Sequence, residues 1–343
     1  MKKVRVGIVG LGRLGMKHAE NIAVRTAGAE LAAVCALEPD RVRHAQETWG
    51  VTKGYASFEG MLENRDLDAI FIASSSGEHC RQIGQALEAG FHVFCEKPLG
   101  ISLEECVLAE EAVAKHPRKV FMLGFMRRYD ESYSRARKLI QDGYIGRPIL
   151  FRGYSVDPES AIDGAIRFAP SSGGQFLDMA VHDIDLARWM LGAEATTVFA
   201  AGGCYAHPEF AQYGDGDNLA AFIRFDNDAM AFLLAGRTAA HGYAVETEII
   251  GTRAALRIAS VPQKDMVELL DDRGAVRECS QNFLERFGAA YCAETQEFVD
   301  CIREGRKPQV SVRDGVMATR VAFAATQSFR RDELVRLSQG GDT

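Results

Sequence analysis

Residues 4–15 constrain this chain more than any other stretch. Val4-Arg5-Val6-Gly7-Ile8-Val9 is a short, largely β-branched run that leads directly into Gly10-Leu11-Gly12-Arg13-Leu14-Gly15 and an amphipathic segment. A lone GxGxxG carries little information. One that follows a strand and opens a helix commits the segment to a βαβ unit. The first glycine permits a tight turn, the second lets a pyrophosphate approach the backbone, and the third allows close helix–strand packing. Unpaired N–H groups and the positive end of the helix dipole then face the phosphates. Gly10, Leu11, Gly12, Arg13, Leu14 and Gly15 are therefore expected to bind a dinucleotide.

An acidic residue usually follows the second strand of such a unit, to bind the ribose 2′-hydroxyl. Here Leu31–Cys35 reads as that strand, and Ala36 occupies the usual acidic position. Glu38, two residues on, is the available carboxylate, with a solvated acid at a helix start as the alternative reading. No arginine immediately follows the strand, although Arg41 and Arg43 are near. A carboxylate so placed repels the extra phosphate of NADP. NAD is the expected cofactor, with NADP left open.

Further strands are expected at Ala69–Ala73, His92–Cys95 and Val120–Gly124. Helical patterns over 15–27, 40–49, 79–89 and 102–115 separate the runs. Strands alternating with helices predict a parallel sheet with right-handed crossovers. Beyond residue 148 strands dominate, at 149–156, 197–205, 219–225, 229–238, 245–250, 255–258 and 266–270. Asp226-Asn227-Asp228, Gly251-Thr252-Arg253 and Asp271-Asp272-Arg273-Gly274 supply hairpin turns, and together these suggest an antiparallel meander. Helices are expected at 175–191, 283–304 and 312–337. The predicted fold is α/β, with an N-terminal Rossmann doubly wound parallel sheet over 1–124. A C-terminal α+β domain over 125–343, carrying a large and mainly antiparallel open sheet, would bind substrate and mediate oligomerisation.

Composition narrows the partners. The chain has 343 residues, 47% of them apolar, with 40 basic against 47 acidic side chains. That is an ordinary globular composition, sufficient for about two domains. A net charge of −7 without basic clusters argues against nucleic acid or an anionic membrane as partner. The first apolar run is broken by Arg5 and three glycines, so it is not read as an export signal. Eight cysteines without a CxxC pair are expected to be buried thiols in a cytoplasmic protein.

Two further segments carry chemistry. Phe94-Cys95-Glu96-Lys97-Pro98-Leu99 puts Lys97 at the carboxyl end of a parallel strand, where ligands bind in open α/β sheets. A lysine there can polarise a C–O bond, although an exposed turn lysine is the plainer reading. Asp178 and His182 are four apart on a helix and share a face, with Asp185 extending the stripe. A neutral histidine beside a carboxylate suits removal of a hydroxyl proton. The rivals are a helix-surface pair and a metal site, and three ligands on one helix argue only weakly for a metal. No metal is expected.

Gly10–Gly15, Phe94–Gly100, Gly124-Phe125-Met126-Arg127-Arg128-Tyr129-Asp130 and Asp178–Asp185 together resemble the Gfo/Idh/MocA family of nicotinamide-dependent sugar and cyclitol oxidoreductases. The resemblance spans essentially the whole chain and is nearest the inositol 2-dehydrogenase branch. It implies a catalytic group of Lys97, Asp178 and His182, with His182 as general base. Glu96 would lie near the nicotinamide end of the cofactor, and Ser74 and His79 complete the expected cofactor set with Glu96 and Lys97. Met126 and Arg127 would border the substrate. Asp157 matches a polyol-contacting position that is often Asn, and Ser155 one that can be His. His241 and Tyr243 match a pair that is often two tyrosines. The implied reaction is oxidation of a secondary alcohol on a cyclic polyol, myo-inositol above others. A dehydrogenase for a related aldose or pyranose sugar, or a non-catalytic NAD-binding sensor, would share the fold. The family also implies a homo-oligomer, dimeric or tetrameric.

Overall fold

The computed structural model describes residues 2–259 and 263–337. The chain forms two compact units. One comprises Met1–Tyr129 with Ala289–Val316, the other Asp130–Gly288 with Met317–Thr343.

The first unit is built on β1 (Val4–Val9), β2 (Ala29–Cys35), β3 (Lys53–Tyr55), β4 (Ala69–Ile72), β5 (His92–Glu96) and β6 (Phe121–Gly124). Their order is β3-β2-β1-β4-β5-β6, and every neighbouring pair is parallel. The order reverses between β1 and β4, and a doubly wound sheet binds its ligand at the carboxyl ends beside such a switch point. β3 was not legible in the sequence because its three residues are largely exposed and carry no apolar run. Val6, Ile8, Val34, Phe71, Phe94 and Met122 form the core together with Phe298, Val299 and Cys301 from the helix Phe283–Glu304. That packing returns Ala289–Val316 to the first unit, a feature that one cut after residue 124 misses. The expected helix over 15–27 is an α-helix, Arg13–Glu20, running into a π-turn, Asn21–Arg25.

The second unit holds β7 (Pro148–Pro158), β8 (Ala195–Gly203), β9 (Asn218–Phe225), β10 (Met230–Ala239), β11 (Ala244–Gly251), β12 (Ala255–Ile258), β13 (Gln263–Asp271), β14 (Gly274–Cys279) and β15 (Val335–Arg336). Seven form one sheet in the order β12-β11-β7-β10-β9-β8-β15, and β13 pairs with β14 as a separate ribbon. A pure antiparallel meander is corrected at one place: β10 runs parallel to β7. Two α-helices, four short helical turns and two strands lie between them in the chain, so the connection is long enough to bring β10 back in the same sense. The remaining pairs of the large sheet are antiparallel.

The last helix stops at Arg331, short of the expected Leu337, because Asp332 takes a left-handed φ of 52°. Val335 and Arg336 then pair with Val198 and Thr197 on β8. Among the described residues no helix is long and apolar enough to cross a membrane.

Candidate active site

In the first unit the glycine loop joins β1 to the helix Arg13–Glu20. Gly10 has φ +89°, and a Cβ there would lie 2.3 Å from the Ala73 carbonyl oxygen. A Cβ on Gly15 would lie 1.8 Å from the Gly10 carbonyl oxygen. These two glycines close the loop on itself and on the end of β4. At Gly12 the nearest atom to an added Cβ is Arg41 Nη1 at 3.8 Å, so this face of the backbone opens outward. Gly12 is also the helix N-cap, and as a glycine it has no side chain to cap the first turn. Such a turn offers backbone donors to an anion. A cavity of about 470 Å³ adjoins it, lined by Leu11, Gly12, Arg13, Met16, Asp40, Arg41 and His44. The loop thus fits a dinucleotide pyrophosphate at the switch point.

Glu38 precedes the helix Pro39–Trp49 and stays exposed. Arg41 lies 3.5 Å from its carboxylate and donates to the Leu11 carbonyl at 3.3 Å, linking the expected ribose-binding acid to the loop. Ser74 donates to Gln82 at 2.6 Å. His79 is buried, with Nδ1 2.8 Å from the Pro98 carbonyl and Nε2 3.3 Å from that of Ser74. Burial pushes its pKa down, against the raising effect of those carbonyls. Its ring thus braces the turn after Lys97, a role the sequence did not suggest.

Glu96 ends β5, and its Oε2 accepts the Lys97 N–H at 3.0 Å. The Lys97–Pro98 peptide is cis. Met126 and Arg127 are buried in the short turn Met126–Tyr129, which Arg128 anchors through Asp314 at 2.9 Å.

In the second unit Asp178 lies in a π-turn, Phe176–Ala180, that runs into the helix Val181–Leu191. Every residue of that helix except Trp189 is buried. His182 and Asp185 are therefore buried, while Asp178 in the preceding turn is partly exposed. Ser155 donates to Asp183 at 2.5 Å, so this helix is also tied to β7.

The residue that sequence reasoning missed is Arg237 on β10. Its guanidinium is 5% exposed, donates to Asp178 Oδ2 at 2.9 Å and lies 3.5 Å from Asp157 Oδ2. Its Nε donates to Gln175 Oε1 at 3.0 Å. The two expected site carboxylates are thus joined through one buried cation. An arginine inside an otherwise apolar strand was the available signal, since a buried charge requires counter-charges. His241 is exposed between β10 and β11, whereas Tyr243 is buried, its ring edge-on to Phe287.

Residues 4–125 match the family described as "Oxidoreductase family, NAD-binding Rossmann fold", and residues 133–257 match the "GFO/IDH/MocA C-terminal domain". A scyllo-inositol 2-dehydrogenase (NAD(+)) of Bacillus subtilis is 36% identical over 98% of this chain and 96% of its own length. The crystal structure of scyllo-inositol dehydrogenase from Lactobacillus casei with bound NAD(H) and scyllo-inositol superposes with a TM-score of 0.94 at 43% identity, covering 98% of this chain and 99% of that one. Myo-inositol 2-dehydrogenase from Lactobacillus plantarum gives a TM-score of 0.96 at 38% identity, over 98% and 100% of the two chains. On its glycine loop, its doubly wound sheet and these likenesses, the chain is a member of the GFO/IDH/MocA family of oxidoreductases, with an NAD-binding Rossmann domain.

Proposed function

We propose that this chain is an NAD-dependent inositol 2-dehydrogenase that oxidises one secondary alcohol of a cyclic polyol to a ketone, with myo-inositol as substrate. The carrying observation is the Asp157–Arg237–Asp178 arrangement, two carboxylates joined through one buried guanidinium. Ionised carboxylates accept hydrogen bonds and do not donate them, so the pair suits the hydroxyls of a polyol.

Gly10 to Gly15 and Glu38 are the residues that would hold the cofactor, which supplies the hydride acceptor. His182 takes the hydroxyl proton, and Asp178, in the turn before it, tunes and orients it. Lys97 stabilises the charge that develops on oxygen as the carbinol hydrogen leaves as hydride. Met126, Arg127, His241 and Tyr243 border the polyol. Positioned proton transfer contributes about 10² to 10⁴ in rate. The same constellation argues against a cofactor-binding sensor, which has no need of an acid–base pair. A dimer or tetramer in the cytoplasm completes the proposal.

A second reading, scyllo-inositol as the preferred substrate, is favoured by the 43% identity to the Lactobacillus casei enzyme against 38% to the myo-inositol enzyme. The two inositols differ in configuration at one carbinol carbon, and oxidation there erases the difference. NADH formation on a panel of inositols, aldoses and open-chain polyols, with NAD and NADP in parallel, tests both readings. Turnover on an inositol is expected, whereas turnover confined to aldoses would refute both.

A further inference from the structure

Three titratable side chains inside the first unit have no assigned role together. His18 comes from the helix Arg13–Glu20, Glu96 from the end of β5, and Glu294 from the helix Phe283–Glu304. They are 0%, 3% and 0% exposed. One ligand atom of each lies within 4.8 Å of the others. The His18 ring stands among Phe71, Phe94 and Tyr291, with centroids 5.3–5.7 Å away. Its Nε2 is 2.6 Å from Glu96 Oε1, and its Nδ1 is 3.4 Å from the Thr295 hydroxyl. The second Glu96 oxygen accepts the Lys97 N–H. Among the described residues neither oxygen of Glu294 has a hydrogen-bond partner. Buried ionisable groups seldom repay their desolvation in stability, so such a cluster calls for another purpose.

We propose that His18, Glu96 and Glu294 form a positioning triad for Lys97, in which Glu96 links the His18 ring to the Lys97 main chain and Glu294 completes the buried cluster. The proposal rests on the reading of Lys97 as a catalytic group. His18 fixes one oxygen of Glu96, and the other oxygen fixes the main chain from which the Lys97 side chain departs. Gly124 on the adjacent strand leaves room for this carboxylate, since a Cβ there would lie 3.2 Å from it. Burial, reinforced by the charge of Glu96, pushes the Glu294 carboxyl well above the usual carboxylate range. Ionising it would place two carboxylates side by side in the core, where like charges repel most strongly.

A metal ion is the rival occupant of these groups. Ligand atoms about 2.0–2.1 Å from zinc in tetrahedral geometry lie roughly 3.3 Å apart. The 2.6 Å separation of His18 and Glu96 is that of a hydrogen bond.

Infrared difference spectroscopy of the full-length protein at neutral pH is the first test. The carbonyl band of a protonated carboxylic acid should be present and should vanish in Glu294→Gln. Absence of the band, its persistence in that variant, or stoichiometric metal in the purified protein would overturn the triad. In Glu96→Gln, kcat should fall about tenfold to a hundredfold, the scale of a misplaced catalytic group. The KM for the polyol should stay within about threefold, so that the loss falls on kcat. If Lys97→Met loses turnover while Glu96→Gln keeps it, the positioning role fails alone. If Lys97→Met turns over normally, the catalytic reading of Lys97 fails and the positioning role with it.

Discussion

Gly10 and Gly12, separated by Leu11 alone, should respond in opposite ways to the same added methyl group. Gly10 has φ +89°, and its Cβ would lie 2.3 Å from a backbone oxygen. The left-handed conformation alone costs an L-residue about 1–2 kcal/mol, and the overlap with the Ala73 carbonyl adds to that because main chain cannot rotate away. Gly12 has φ −72° and ψ −171°, which alanine adopts freely. The nearest atom to its added Cβ, 3.8 Å away, ends a flexible arginine. Gly12→Ala should therefore leave the free protein as stable as before, or more stable by about 0.4–1 kcal/mol through the unfolded state.

The cost at Gly12 appears on binding. A methyl group between the backbone and the pyrophosphate removes at least one charge-assisted hydrogen bond, each worth about 1.5–3 kcal/mol. NAD affinity should fall by roughly tenfold to a hundredfold. Calorimetric melting of the free variants and NAD titration by isothermal calorimetry read the two effects separately. Wild-type NAD affinity in Gly12→Ala would refute the placement of the pyrophosphate at this loop. So would a loss of stability in Gly12→Ala equal to that in Gly10→Ala.

Other perturbations follow from the same geometry. Arg237→Met removes the cation from two carboxylates that stay 19% and 26% exposed. It should destabilise by about 3 kcal/mol, the low end for breaking a buried pair, and raise KM for the polyol, read by denaturant melts and steady-state kinetics. Glu38→Ser should narrow the NAD over NADP preference by roughly fivefold in kcat/KM, corresponding to about 1 kcal/mol of repulsion near the surface. An unchanged ratio would remove Glu38 from the cofactor site. Asp217 is buried, which by itself raises its pKa, but the N–H groups of Tyr205, Ala206 and His207 and the Asn218 amide outweigh this and hold it below 3.8. Its stabilisation is therefore complete above the ordinary carboxylate range and is lost as pH falls through the lowered value. Asp217→Asn should flatten that acid limb in melts from neutral pH down to about pH 3, and an unaltered limb would contradict the assignment.

The parts legible in the sequence were those set by neighbours along the chain. Gly10, Gly12 and Gly15 announce a turn and a helix start, whereas the π-turn that carries Asp178 leaves no mark in a pattern read as one α-helix. Arg237 was missed because it meets Asp178 across 59 residues and two different elements. The His18–Glu96 contact spans 78 residues and is likewise invisible to periodicity. The β7–β10 pairing eluded a local reading because strand sense depends on everything threaded between them. The end of the last helix was missed for a smaller reason. Asp332 adopts a left-handed φ without glycine's freedom, and the apolar pattern beyond it, Leu334 and Val335, looks helical until it pairs with β8.

The central claim is hydride transfer from an inositol carbinol carbon to NAD. It is tested most directly with inositol deuterated at carbon 2, incubated with the protein and NAD, followed by mass spectrometry of the reduced cofactor. The account predicts NADH that carries the deuterium from myo- or scyllo-inositol. Reduced cofactor without deuterium, or no reduction with either inositol while an aldose is oxidised, would contradict it.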